Sequence, residues 1–154
     1  MQVVFVSNYF NHHQLSFCDA LYELLEGSFC FLQTQPMEEE RVKMGWQAEE
    51  RPYVRYVQPD GTTTGGSEAF TAVTGWTPDE EIADNEWQNL LLTADMVIFG
   101  GCDDESYIRE RLAAGKPIFR YNERLYKEGQ WKAISPRGLL QKYKDHTRYR
   151  KAPV

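Results

Sequence analysis

Three short runs constrain this chain more than any other feature: Val3-Val4-Phe5-Val6, Phe29-Cys30-Phe31-Leu32 and Asp95-Met96-Val97-Ile98-Phe99. Each has the length of a strand, and the apolar part of each is unbroken. A strand with no polar side is covered on both faces, as in a parallel sheet between helix layers. Val54, Arg55, Tyr56 and Val57 give a further short strand, and Pro117-Ile118-Phe119 begins the last. Helical spacing fills the intervals: Phe17, Cys18, Leu21, Leu24 and Leu25 on one face, Trp87, Leu90, Leu91 and Ala94 on another, then Ile108 with Leu112. Strand alternating with helix predicts an α/β domain with a mostly parallel sheet of about five strands and helices on both faces.

Local signals bound these elements. Gly27 stops the first helix, and Thr77-Pro78-Asp79-Glu80 has the cap, proline and acid of a helix start. Asp103 or Asp104 is placed to cap the helix from about 105 to 114, which Gly115 ends before Pro117. Ser135-Pro136 opens a final helix whose Leu139, Leu140, Tyr143 and Thr147 or His146 are expected to face inward. Residues 35–52 are polar and read as a loop or short helix outside the core. Residues 59–77, dense in turn formers, read as a surface insertion.

Composition narrows the function classes. The chain has 154 residues, enough for one domain with a real core, and 42% of them are hydrophobic. A net charge of −6 argues against general nucleic-acid binding. The basic residues gather at 137–151, where Arg137, Lys142, Lys144, Arg148, Arg150 and Lys151 face one acid, Asp145. That stretch is either a solvated helix face or a surface for an anionic membrane or partner. Cys18, Cys30 and Cys102 have no metal-like spacing and read as reduced thiols of a cytoplasmic protein. No apolar segment reaches the ~20 residues of a membrane span. The last residues, Arg150-Lys151-Ala152-Pro153-Val154, resemble the passage from helix to strand at 114–119, so the natural chain is expected to continue into another strand.

Familiar sites are missing. No glycine-rich dinucleotide fingerprint follows the first strand, and neither a triphosphate loop nor a Gly-x-Ser-x-Gly elbow occurs. His12 and His13 are adjacent and no cysteine pair supplements them, so no metal site is expected. Three loops should instead converge at the carboxyl end of the sheet. The first offers Asn8, Asn11, His12 and His13, the second Gly100, Gly101 and Asp103, and the third Tyr121, Asn122, Glu123 and Arg124. Amides and imidazoles suit sugar hydroxyls, a Gly-Gly admits a ligand to backbone N–H groups, and imidazole moves protons near neutral pH. Each has a plainer alternative: histidines that bond the helix start, glycines that relieve crowding, an aspartate that caps, an Arg120–Glu123 pair. Trp46 and Trp76 are sugar platforms or loop anchors.

Val3-Val-Phe-Val-Ser-Asn-Tyr-Phe-Asn-His-His-Gln14, Met37-Glu-Glu-Glu-Arg-Val-Lys-Met-Gly-Trp46, Asp95-Met-Val-Ile-Phe-Gly-Gly101, Phe119-Arg-Tyr-Asn-Glu-Arg124 and Ser135-Pro-Arg-Gly-Leu-Leu140 together resemble the N-terminal half of bacterial GT-B glycosyltransferases of the glycosyltransferase 4 type. The resemblance implies one three-layer Rossmann-like domain over 1–154, the acceptor-side half of a two-domain protein. It implies transfer of a sugar from a nucleotide-sugar donor, held by a C-terminal domain, to a sugar or glycan-lipid acceptor. No metal or other cofactor is expected in this chain, which would be inactive alone. The family's two donor glutamates, with seven residues between, do not occur in this sequence. By position, His12 and His13 become the catalytic candidates, and Asn8, Asn11, Gly100, Gly101, Asp103, Asn122, Glu123 and Arg124 the acceptor-binding ones. The implied location is the cytoplasm, with peripheral contact to the inner membrane face through 137–151. The alternatives are a non-catalytic Rossmann-like binding or scaffold domain and a small nucleotide-binding protein.

Overall fold

A computed structural model describes residues 1–46, 50–65, 86–101, 105–121 and 135–147. Its strands are β1 (Val3–Ser7), β2 (Phe29–Gln33), β3 (Val54–Val57), β4 (Thr63–Gly65), β5 (Met96–Phe99) and β6 (Ile118–Arg120). They form one sheet in the order β4-β3-β2-β1-β5-β6, parallel throughout except for β3 with β4. The helices are α1 (His12–Leu24), α2 (Glu39–Lys43), α3 (Glu86–Thr93), α4 (Ser106–Ala113) and α5 (Pro136–Thr147).

β1 is the centre. Val3 to Ser7 pair with Phe29 to Gln33 on one side, and Val3 to Val6 with Met96 to Phe99 on the other. All five residues of β1 and of β2 are buried, the first four of each as their apolar sequence demands and Ser7 and Gln33 as polar ends. Successive side chains serve opposite layers. Val4, Val6, Cys30, Leu32, Val97 and Phe99 pack against Leu90 and Leu91 of α3 and Tyr107 and Ile108 of α4. Val3, Phe5, Phe29, Phe31 and Ile98 meet α1 through Cys18, with Leu15, Leu21 and Tyr22 partly buried beside it. The α1 layer is aromatic: the Phe5 and Phe10 rings lie 4.9 and 5.0 Å from Phe31, and Tyr53 closes on Phe29 at 5.3 Å.

Three expectations change. The sheet has six strands rather than five. The added one, β4, comes from the front of the stretch read as a surface insertion. Gln58 N–H donates to Thr62 O, Asp60 Oδ1 accepts from Thr62 N–H and Oγ1, and the chain returns antiparallel to β3. Residues 66–77 of that stretch, with Trp76 and the helix start at Thr77, lie outside the described residues. On α1, Phe17 and Leu24 share the helical spacing yet are 44% and 77% exposed, because the sheet takes only the stripe through Gln14 and Cys18. On α5, Leu139, Leu140 and Tyr143 are exposed rather than inward. The Ser135 cap forms as expected, its Oγ accepting from Gly138 N–H. So does the end of α4, where Gly115 sits at φ +67° and Gly115 and Lys116 N–H donate to Leu112 and Arg111 O. The position before α4 is held by Glu105, whose side chain makes no capping bond.

Among the described residues one charged group is wholly inside. Arg111 is 0% exposed. Its Nη1 donates to the carbonyls of Leu91 (2.7 Å) and Ala94 (2.9 Å), and Nη2 to those of Pro117 (2.9 Å) and Asp95 (3.3 Å). Lys116 Nζ adds bonds to Leu92 and Thr93 O. Two cations thus satisfy the carbonyl end of α3, where the helix dipole favours them. Burial pushes the Arg111 pKa down against the opposing charge of Asp95. Arg111→Met strands these carbonyls and is expected to lower the unfolding free energy by about 3 kcal/mol. Arg111→Lys should not restore it, because an ammonium lacks the fork. Urea denaturation measures both.

A second prediction concerns pH. Burial, with Asp19 adding to it, pushes the Cys18 thiol from an ordinary 9.0 up to about 12, and burial does the same for Cys30. Burial and the bond from Tyr53 Oη to Asp19 raise the Tyr53 pKa as well. These groups stay protonated in the fold but ionise in the unfolded chain, which then binds fewer protons. Stability is therefore fully present below pH about 9 and is lost as pH rises toward 12, at up to ~1.4 kcal/mol per pH unit for each thiol. Urea midpoints measured across this range should fall steeply, and less steeply in Cys18→Ala/Cys30→Ala.

Candidate functional site

The parallel strands send their following loops to one end of the sheet, and β1 and β5 leave in sequence toward α1 and α4 on opposite faces. The first loop is tightly built. Asn8 Oδ1 accepts from Tyr9 N–H (3.0 Å) and Ser7 Oγ (3.2 Å). Asn11 takes the N-cap position of α1, its Oδ1 accepting from His13 N–H (2.9 Å), while Gln14 Oε1 accepts from Asn11 N–H (3.0 Å). This reciprocal pair fixes the first turn. It places His12 and His13 on the exposed first turn of α1, with ring centroids 4.0 Å apart.

The histidines have partners from a distant stretch. Trp46, just after α2, stands edge-on to both rings, 5.3 Å from His12 and 5.8 Å from His13. The Arg41 guanidinium lies 4.8 Å from the Trp46 ring and 4.9 Å from the Tyr9 ring, and its Nε bonds Glu38 at 2.9 Å. A cation between two π faces holds both in place. The result is a ring-lined wall of Tyr9, His12, His13 and Trp46, braced by the Arg41–Glu38 pair. One turn on from His13, Phe17 stacks on Tyr121 at 6.4 Å and 22°, so aromatic surface continues toward β6.

Gln33 ties this wall to the next loop. It is 5% exposed, its Oε1 accepts from Phe10 N–H (3.0 Å), and its Nε2 donates to Gln35 O (2.8 Å). Thr34 and Gln35 N–H donate to Ser7 and Asn8 O, extending the β1–β2 ladder past the strands. Beyond it a groove of about 360 Å³ opens at the carboxyl ends of β2 and β3, lined by residues 33–36 and 56–59.

Gly100 and Gly101 stand where crowding requires a glycine. A Cβ on Gly100 would stand 2.8 Å from the Phe5 ring and 3.0 Å from Ser7 Oγ, and one on Gly101 2.9 Å from Asn8 Oδ1. The glycines let the β5 turn pack against β1 and its loop. The structure therefore keeps Asn8 and Asn11 in the loop that sets His12 and His13 on the wall, with Gly100 and Gly101 close to Ser7 and Asn8. Asp103, Asn122, Glu123 and Arg124 lie outside the described residues. Tyr9, Arg41 and Gln33 carry the wall but were not singled out by sequence. The signal for Gln33 was a lone amide ending an apolar run. Among the described residues, no group of three His, Cys, Asp or Glu side chains is placed to hold a metal ion.

Compared with protein-family models, with curated proteins and with solved structures, the chain has no match in any of the three.

Gly100→Ala forces a methyl against the fully buried Phe5 ring and is expected to cost about 1–3 kcal/mol. Gly101→Ala, which meets the end of a more exposed side chain, should cost less. Thermal melts of the two variants give the ranking.

Proposed function

We propose that this chain is the acceptor-side, Rossmann-like domain of a GT-B-type glycosyltransferase. In this reading a sugar passes from a nucleotide-sugar, bound by a separate donor domain, to a glycan or glycan-lipid hydroxyl. The observation that carries it is the wall of His12, His13 and Trp46 at the carboxyl end of β1. Flat ring faces take the C–H side of a pyranose, and an exposed imidazole beside them can accept the proton of the attacking hydroxyl. Strand order supports the reading. Without β4, the parallel strands run third, second, first, fourth, fifth in chain order, which is compatible with a Rossmann-like layout. In such a sheet ligands bind where the order reverses, between the first strand and the fourth, here β1 and β5.

His13 is assigned the proton transfer, with His12 packed against it and Asn8 and Asn11 shaping the loop. Gly100 and Gly101 contribute clearance, and Asp103, Asn122, Glu123 and Arg124 remain acceptor candidates by position. Localisation in the cytoplasm, with peripheral contact at the inner membrane face, belongs to the same proposal. Its support is the exposed Leu139, Leu140 and Tyr143 beside Arg137 and Lys144 on α5. Among the described residues no helix is long and apolar enough to cross a membrane.

The test is nucleoside-diphosphate release by the intact protein, given a panel of nucleotide-sugars and glycan or glycan-lipid acceptors. Release is expected with one donor in the presence of acceptor. His13→Ala should lower turnover by about tenfold or more, as loss of a general base does, without moving the melting temperature. No release with any donor, or unchanged turnover in His13→Ala, overturns the assignment.

A further inference from the structure

The groove beside the wall has a chemistry of its own. Among the described residues, none that lines it is charged. Its floor is Gln33, buried and with both ends of its amide already bonded, so it is rigid. On the outer side Gln58 is oriented by two bonds from its Nε2, to Tyr56 O (3.3 Å) and Thr64 Oγ1 (2.9 Å), leaving its carbonyl oxygen as an acceptor. The Gln35 side chain is exposed and makes no hydrogen bond among the described residues. Pro36, Pro59 and the Tyr56 ring supply apolar faces, and Tyr56 is braced from behind by Gly65, which sits at φ +80° with a Cβ position 3.2 Å from the ring.

We infer that this groove is a binding subsite for a neutral glycan. A sugar ring presents a C–H face and a rim of hydroxyls, which fits apolar faces opposed by the Gln35 amide and the Gln58 side-chain carbonyl oxygen. A nucleotide or acidic saccharide brings negative charge that needs cationic or N–H partners, and among the described residues no cationic side chain lines the groove. The location extends the proposed acceptor reading, on which the inference rests. Gln33 joins groove and wall, so a chain of sugars lying along the carboxyl end of the sheet would place one unit in the groove and another near His13.

The test uses chitotriose, maltotriose and mannotriose as neutral probes, and uridine monophosphate and trigalacturonate as charged ones. Binding is followed by saturation-transfer NMR on the chain described here and on Gln35→Ala and Gln58→Ala. At least one neutral trisaccharide should bind, with affinity about three- to tenfold weaker in each variant, the change expected for one hydrogen bond. The charged probes should not compete. Melting curves of the variants show that each remains folded. Neutral binding that ignores both substitutions, no neutral binding at all, or preferred binding of uridine monophosphate overturns the inference. The two readings separate cleanly. Sugar transfer with an acceptor KM unmoved by Gln35→Ala and Gln58→Ala sinks the groove alone. Groove-dependent trisaccharide binding in a protein that releases no nucleoside diphosphate sinks the transferase alone.

Discussion

A guanidinium sealed in the interior governs how this sheet is assembled. Arg111 reaches from α4 to the last carbonyls of α3, to the residue before β5 and to the residue before β6. Among the described residues no carboxylate bonds it. Its charge is held by backbone dipoles, at the end of a helix where those dipoles point the right way, with the charge of Asp95 nearby. The amino end of β5 and β6 is thereby locked by one side chain, and Lys116 adds a second clasp from outside. The two ends of the sheet then play different parts. One is closed by charge against carbonyl, and the other is left to the loops that carry Asn8, His12, His13 and Trp46.

The loops at the open end are held by smaller devices of the same kind. Asn11 and Gln14 satisfy one another's backbone, Gln33 satisfies Phe10, and Arg41 fixes two rings at once. Each replaces water around a polar group with a partner of fixed geometry, so the exposed histidines rest on a rigid base. The glycines after β5 belong to this base: they bring two strand ends close enough for the Ser7–Asn8 turn to pack.

Much of the fold was legible because the central strands announce themselves. A run such as Val3-Val4-Phe5-Val6 has no solvent side, and the parallel arrangement follows. Thr63, Thr64 and Gly65 carry no such signal, so β4 was read as loop; its pairing depends on the turn at Asp60 and Gly61 rather than on hydrophobic pattern. Helical spacing in α1 and α5 identifies apolar stripes but not what covers them, so it does not foretell that Phe17, Leu24, Leu139 and Leu140 are exposed. At the candidate site, the histidines stood out as a pair. Their setting did not, since Trp46 and Arg41 arrive from a segment about thirty residues away in sequence, and no local pattern encodes that meeting.

β4 has a consequence for how the sheet can grow. It is three residues long, runs against its neighbour, and ends at a glycine in the left-handed region. A short reversed strand with that kink is a poor template for another chain, and such terminations keep a sheet from polymerising sideways. Among the described residues the opposite flank ends at β6, which pairs only with β5. Among the described residues the two flanks therefore differ in direction rather than length: β6, also three residues long, runs parallel to its neighbour and lies on the flank away from the glutamine-lined groove.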